Sequence, residues 1–209
     1  MTGQSPIRVL SVDDHPLLRE GLATLINNQP GMALVAQASD AQEGIAQFRR
    51  HKPDVTLMDL RLPDKSGIEA MIAIRTEFPE AKIIMLSTFE GDVEIQRALE
   101  AGARGYILKT MPPNELIDVI LQVHAGKKCI PTQIAAQLAE HLSDDALTDR
   151  EVEVLGQIAG GNRNRDIAEK LFISEETVRV HIKHIMDKLG ASDRTQAVAI
   201  GLRRGIIHL

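Results

Sequence analysis

The sequence predicts two folds in series: a doubly wound α/β domain on a five-stranded parallel sheet, then a small all-α domain. Three observations carry this. Through residue 126, short apolar and β-branched runs alternate with stretches of helical period. The rhythm breaks over residues 127–146, which hold Pro131 and a polar Ser143-Asp144-Asp145. From Leu147 onward only helical patterns follow, apart from a short apolar tail at 206–209.

The strands expected are 8–12, 33–38, 55–58, 82–87 and 105–108. The helices between them are 16–27, 40–51, 66–77, 91–101 and 113–125. Ile45 and Phe48 recur at helical spacing, as do Ile68, Met71 and Ile72. Asp40 and Ser66 suit N-caps, and Gly102 and Gly126 suit stops. Five βα units joined by short connections imply parallel strands and right-handed crossovers. The stretch 127–146 reads as a linker with a short helix at 132–142. Beyond it, four helices are expected at 149–159, 164–171, 175–189 and 194–203. The domain division is therefore 7–126, linker 127–146, and 147–209.

Composition narrows the function classes. Hydrophobic residues make up 44% and charged residues 25%, which describes a soluble globular chain. The single Cys129 excludes an internal disulfide framework and fits a reducing compartment. No apolar run approaches the roughly 18 residues of a membrane span, and the first six residues lack signal-peptide character. A cytoplasmic location without membrane attachment follows as an expectation. The net charge of −5 argues against a general nucleic-acid binder. Its distribution is uneven, however. Residues 1–126 hold 17 acids against 12 Lys and Arg, whereas residues 127–209 hold 12 of each, so the second domain remains open to DNA.

Asp59 ends the apolar run Val55-Thr56-Leu57-Met58 and opens into a loop with Pro63 and Gly67. A buried carboxylate there is costly unless something pairs it. Strand carboxyl ends are where parallel α/β sheets hold ligands. Asp13 and Asp14 take the same position after the first strand, Ser87 after the fourth and Lys109 after the fifth. Three carboxylates at one edge call for a hard cation, and Mg²⁺ is the usual one. Asp59 could then attack a phosphoryl donor and form an acyl phosphate. Lys109 would pair one phosphoryl oxygen and the Ser87 hydroxyl another. Each residue alone has an ordinary reading as a cap, a turn or a solvated charge. His15 reads as a helix-start residue beside Pro16. The convergence of five polar residues on strand ends favours chemistry.

The motifs Val12-Asp13-Asp14, Leu57-Met58-Asp59-Leu60-Arg61-Leu62-Pro63, Gly67, Leu86-Ser87-Thr88 and Gly105-Tyr106-Ile107-Leu108-Lys109 resemble the receiver domain of two-component response regulators, a flavodoxin-like fold. The resemblance implies that Asp59 is the phosphoacceptor. It implies Asp14, Asp59 and the Arg61 carbonyl as direct Mg²⁺ ligands, with Asp13 acting through water. It implies Ser87 and Tyr106 as a switch pair, with Lys109 on the phosphoryl group. Two departures stand out: Thr88 replaces a common Ala, and Thr110 replaces the frequent Pro after the lysine.

In the second domain, 164–171, then Phe172-Ile173-Ser174, then 175–189 read as helix, tight turn, helix. Ser174 caps the last of these, and Glu175 and Glu176 suit its positive end. Val178, Ile182, Ile185 and Leu189 form the expected buried stripe. Arg179 and Lys183 lie on another face with Val180 and His184 beside them, a face suited to a major groove. Arg163, Arg165, Lys188 and Arg194 could reach phosphates. A four-helix module that binds protein would share much of this pattern. The runs Leu147–Leu155, Asn164-Arg165-Asp166-Ile167-Ala168 and Ser174–His181 nevertheless resemble the LuxR-type helix-turn-helix. The whole chain resembles the NarL/FixJ class of transcription regulators. That resemblance implies Arg179, Val180 and Lys183 at base edges and Thr177 on the DNA backbone. It further implies a sensor histidine kinase as phosphodonor, promoter DNA as target and a homodimer on activation. Phosphate on Asp59 is expected to draw Ser87 toward it, let Tyr106 turn inward and reshape the surface of residues 91–125.

Two other classes are weaker. A phosphatase of the haloacid-dehalogenase type needs Asp-x-Asp on one strand end, whereas here Arg61 stands two residues after Asp59. A receiver that works by protein contact alone would have no use for the full acidic set.

Overall fold

Strands β1 (Ile7–Val12), β2 (Met32–Ala38), β3 (Val55–Asp59), β4 (Ile83–Ser87) and β5 (Gly105–Leu108) alternate with helices α1 (Pro16–Asn27), α2 (Ala41–His51), α3 (Gly67–Glu77), α4 (Asp92–Glu100) and α5 (Pro113–His124). Helices α6 (Asp149–Ala159), α7 (Asn164–Leu171), α8 (Glu175–Leu189) and α9 (Arg194–Arg203) follow. The structure, a computed structural model, describes residues 5–88, 91–130, 135 and 146–207. It divides into two compact units. The described residues of 5–88 and 96–130 form the first, and the rest form the second.

All five strands of the first unit are parallel, in the order β2-β1-β3-β4-β5. Strands β3, β4 and β5 are buried along their whole length, as their unbroken apolar runs require when helices cover both faces. On one face, Val9, Leu57, Ile84, Leu86 and Ile107 meet Leu22 and Ile26 of α1 and Leu116, Ile120 and Val123 of α5. Each such aliphatic side chain contributes about 1.5–3 kcal/mol by leaving water. Helix α2 approaches β1 closely, and only a glycine fits at its residue 44. A Cβ there would stand 2.9 Å from a Val12 methyl.

The expected caps are present. Asp40 accepts from the Glu43 amide, and Ser66 forms a reciprocal capping box with Glu69. Among the residues that recur at helical spacing, Met71 is enclosed but Ile72 is 47% exposed, and Ile74 takes the core position instead. The first unit also runs past residue 126. The Cys129 amide donates to the Arg104 carbonyl at 2.9 Å, and its carbonyl accepts from the Tyr106 amide at 3.2 Å, which covers the outer edge of β5. Among the described residues there is no cis peptide bond, and none follows Lys109.

The second unit packs Val154, Leu155, Ile158, Ile167, Val178, Ile185 and Ala197 into one core. Of the apolar tail the described Ile206 and Ile207 form no strand and are buried in that core, while residues 208–209 lie outside the described residues. The helix expected at 132–142 lies, apart from Ala135, outside the described residues. Among the described residues no helix is long and apolar enough to cross a membrane.

Candidate acidic site and nucleic-acid interface

In the order β2-β1-β3-β4-β5 the chain reverses direction across the sheet at β1, and the carboxyl ends at such a switch point are where open α/β sheets hold ligands. The strand register lines up the polar residues there. Val12 pairs with Met58, Asp59 with Leu86 and Ser87 with Leu108, so Asp13, Asp59, Ser87 and Lys109 come to one edge.

Asp13 is fully buried and Asp59 is 3% exposed. The Lys109 ammonium lies 2.7 Å from an oxygen of each. That single cation compensates two buried carboxylates, so it is what makes their burial tolerable. Burial pushes the Asp59 carboxyl above the usual carboxylate range. The Lys109 hydrogen bond opposes this, and the nearby Asp13 charge adds to it. Burial lowers the Lys109 ammonium, but its bonds to Asp13 and Asp59 outweigh that and hold it raised. Asp14 is exposed, with one oxygen 2.6 Å from His15 Nδ1. Ligand atoms of Asp13, Asp14, His15 and Asp59 all fall within 4.8 Å of one another. Three carboxylates against one ammonium leave net negative charge and hard oxygen donors, a set that fits Mg²⁺.

The surrounding loops fix these groups. The Arg61 amide donates to Asp59 Oδ1 at 3.3 Å, and Gly67 closes the same loop with its amide 2.9 Å from the Leu60 carbonyl. A Cβ at Gly67 would lie 1.9 Å from the Asp59 carbonyl oxygen, so any side chain there must displace the Asp59 backbone. The acidic turn is held by the His15 amide on Asp13 Oδ1, at 2.8 Å, and by Arg19, whose guanidinium donates to the Asp13 carbonyl at 2.6 Å. His15 takes the N-cap position of α1, as expected, but makes no side-chain cap bond; its ring faces the acids.

Arg19 and Asp64 escape the sequence reading. Asp64 accepts from the amides of Ala41 and Gln42, at 2.9 and 3.1 Å, and so ties the loop after Asp59 to the start of α2. Those amide bonds hold the Asp64 carboxyl below its ordinary range. The sequence signal was slight: an acid in a Pro- and Gly-bounded loop.

Ser87 is 2% exposed and Tyr106 is fully enclosed. The Tyr106 ring, expected to turn inward when phosphate draws Ser87 toward Asp59, is enclosed in this structure. β5 is buried along its length, and the Cys129 backbone pairs with its outer edge.

In the second unit the turn between α7 and α8 is set by Phe172, which ends α7 in the left-handed conformation, and by Ser174, which accepts from the Thr177 amide at 3.0 Å. The Thr177 hydroxyl lies 2.8 Å from Ser174 Oγ. The stripe on α8 is narrower than expected. Val178 and Ile185 are buried, while Ile182 and Leu189 are half-buried on the margin of the core, because only every seventh residue faces its centre. Arg179, Val180, Lys183 and His184 are exposed. Arg179 pairs with Glu176 at 2.9 Å, and Arg165 pairs with Glu169 at 3.1 Å. Arg163 and Arg194 are exposed too, the latter with its guanidinium 3.1 Å from the Asn162 carbonyl. Lys188 departs from the others. Its ammonium lies 2.8 Å from Glu151 Oε2, a carboxylate 3% exposed, and 3.1 Å from the Ala146 carbonyl.

With this geometry in place, the chain can be set beside known proteins. Residues 9–121 match the response regulator receiver domain, and residues 145–200 match the luxR family of bacterial regulatory proteins. The uncharacterized transcriptional regulatory protein YxjL of Bacillus subtilis is 44% identical over 214 residues, covering 97% of this chain and 98% of that one. The transcriptional regulatory protein LiaR of the same organism is 38% identical over 210 residues, covering 97% and 100%. A structure of two RcsB dimers bound to two parallel DNAs aligns with a TM-score of 0.72 at 26% identity, covering 95% of this chain and 99% of that one. The chain belongs to the response regulators of two-component systems, with a receiver domain followed by a LuxR-type DNA-binding domain that makes it a transcriptional regulator.

Proposed function

We propose that Asp59 accepts a phosphoryl group from a sensor histidine kinase, and that the phosphorylated chain binds promoter DNA as a homodimer. The observation that carries this reading is the shared ammonium: Lys109 sits 2.7 Å from both Asp13 and Asp59 at the switch point of the sheet. An Asp59 oxygen attacks phosphorus, the P–N bond of the donor phosphohistidine breaks, and its electron pair returns to the imidazole. Asp13, Asp14, Asp59 and the Arg61 carbonyl would hold Mg²⁺, which offsets charge on the phosphoryl oxygens. Lys109 is freed to bond a phosphoryl oxygen once Asp59 carries the group, and Ser87 lies at the same edge to bond another. The donor docks along α1, where Leu17 is 89% exposed and an apolar groove is lined by Leu18, Gly21, Leu25, Met111, Pro113 and Lys109.

The functional division is a receiver at 7–126, a linker at 127–146 and a DNA-binding domain at 147–209, in a cytoplasmic regulator whose chemistry is confined to its own aspartate. In this reading Arg179, Val180 and Lys183 read base edges, while Thr177 and Arg165 meet the backbone. Lys188 acts from behind by holding α8 to Glu151. The surface of α4, β5 and α5 pairs two receivers, which raises DNA affinity by presenting two recognition helices to two half-sites. The test is intact mass after acetyl phosphate and Mg²⁺. The wild-type chain gains one phosphoryl group. Asp59→Asn, nearly the same shape but a far poorer nucleophile, gains none and stays folded. Stable phosphate on Asp59→Asn would overturn the assignment. Sedimentation and DNA titration at fixed salt then test the coupling.

A further inference from the structure

The ring of His15 has no part in capping the helix it begins. The residue holds the N-cap position of α1, but its side chain makes no cap bond; its amide ties the turn instead, on Asp13 Oδ1 at 2.8 Å. Pro16 follows at the start of the helix, and a residue before proline is confined to extended conformations. His15 obeys this with φ −82 and ψ 108, so a restrained backbone presents the ring. That ring places Nδ1 2.6 Å from an Asp14 oxygen and 3.3 Å from an Asp13 oxygen. The side chains of His15 and Asp14 are 67% and 39% exposed, and a pair so exposed adds little to stability.

The position suits coordination. A His15 nitrogen and carboxylate oxygens of Asp13, Asp14 and Asp59 all lie within 4.8 Å of one another. Ligands about 2.1 Å from one ion stand up to about 4.2 Å apart, so small side-chain rotations bring all four onto a single cation. A buried oxygen there is also short of partners. Asp13 Oδ2 is enclosed, and beyond its ion pair with Lys109 nothing among the described residues hydrogen-bonds it.

Charge and donor type then act differently. The three carboxylates attract any divalent ion. A neutral imidazole adds no charge, so it favours only ions that bond nitrogen well. Mg²⁺ demands oxygen, whereas first-row transition ions take imidazole readily.

We infer that His15 is a fourth side-chain ligand of the acidic site, and that through it the site takes a divalent first-row transition ion in preference to Mg²⁺. This inference rests on the reading of the acidic edge as a cation site.

The test uses the full chain without phosphate, with Co²⁺ as the transition ion and Mg²⁺ as the reference. The titrations run at about pH 8, where imidazoles are neutral as metal binding requires. Only the Co²⁺ that excess Mg²⁺ displaces is counted, which sets aside binding at the protein's other histidines. His15→Gln keeps a donor for Asp14 but lacks the imidazole nitrogen, and His15→Ala lacks both. Losing a mere hydrogen-bond partner of a metal ligand typically costs 10–100-fold in affinity. Both variants should therefore lose about tenfold or more in Co²⁺ affinity, with Mg²⁺ affinity within about twofold of wild type and unfolding midpoints unchanged. Co²⁺-loaded wild type should also show an exchangeable imidazole N–H proton resonance shifted far downfield, absent from both variants. Equal weakening of both ions by His15→Ala, with neither weakened by His15→Gln, would make His15 an orienting partner of Asp14 and overturn the inference. Unchanged Co²⁺ binding in both variants would overturn it too. Asp14→Asn, run alongside, reports on the acidic edge itself. If it leaves Mg²⁺ affinity unchanged, the cation-site reading falls and takes this inference with it. If it weakens Mg²⁺ while the His15 variants leave Co²⁺ untouched, only this inference falls.

Discussion

The two units hold their functional charges in opposite ways. In the first, Asp13 and Asp59 are buried and depend on one ammonium from a distant strand end. In the second, Arg165 and Arg179 are exposed and pair with acids one turn away on their own helices. A buried cluster with shared partners is energetically coupled, so changing one group leaves the others uncompensated. Exposed local pairs are nearly independent and worth little. The first arrangement suits a switch that must respond to one added phosphate. The second suits side chains that must leave their partners to meet a ligand.

The sharpest way to break this contrast is Lys109→Ala. It leaves two carboxylates buried at one sheet edge, and the first unit should lose about 3–5 kcal/mol in metal-free solution. Urea unfolding with and without Mg²⁺ reads this directly, and Mg²⁺ should restore part of the loss by pairing the same oxygens. If Lys109→Ala costs no more than the removal of a surface lysine, the ammonium is not the compensating group.

On α8 the comparison divides one helix between core and surface. Ile185→Ala should destabilise the second unit by about 2–5 kcal/mol, with Ile182→Ala costing less because Ile182 is only half-buried. Arg179→Ala should leave thermal unfolding almost unchanged and weaken specific DNA binding by about 1–3 kcal/mol if its guanidinium bonds a base edge. A loss of stability from Arg179→Ala as large as that from Ile185→Ala would dissolve the division.

What the sequence made legible follows the same line. Strand ends and helix caps are local: an apolar run stops at an acid, or a Ser stands three residues before a Glu. Asp59, Ser87, Lys109, Asp40 and Ser66 are therefore placed by their immediate neighbours in the chain. Contacts set by how helices dock are not local. Nothing near Arg19 announces that its guanidinium reaches the Asp13 carbonyl, and nothing near Asp64 announces that it caps α2 from 23 residues away. Ile72 and Ile74 both fit a helical stripe, and only the docking angle of α3 decides that Ile74 is inside. The return of Cys129 along β5, where its backbone pairs with Arg104 and Tyr106, is likewise not local, and a linker reading of residues 127–146 does not foresee it.

The smallest expected effect concerns a place where the second unit imitates the first. Glu151 is buried at the start of α6, accepting from the Thr148 amide at 2.7 Å and from Lys188 on α8 at 2.8 Å. Burial raises its carboxyl, but the bonds from Lys188 and Thr148 outweigh this and hold it below the ordinary value of 4.5. A carboxyl depressed in the folded state contributes stability that is fully present above the unfolded value and is lost as pH falls through the folded one. The second unit should therefore weaken progressively as pH drops below about 4.5, while Glu151→Gln should be less stable at neutral pH and flatter across the same window. Urea titrations at neutral pH and through that acid window, on wild type and Glu151→Gln, measure both. Parallel pH curves for the two proteins would show that this pair, though buried, behaves like the exposed pairs of α7 and α8, and the distinction between coupled and independent charges would then fail in the second unit.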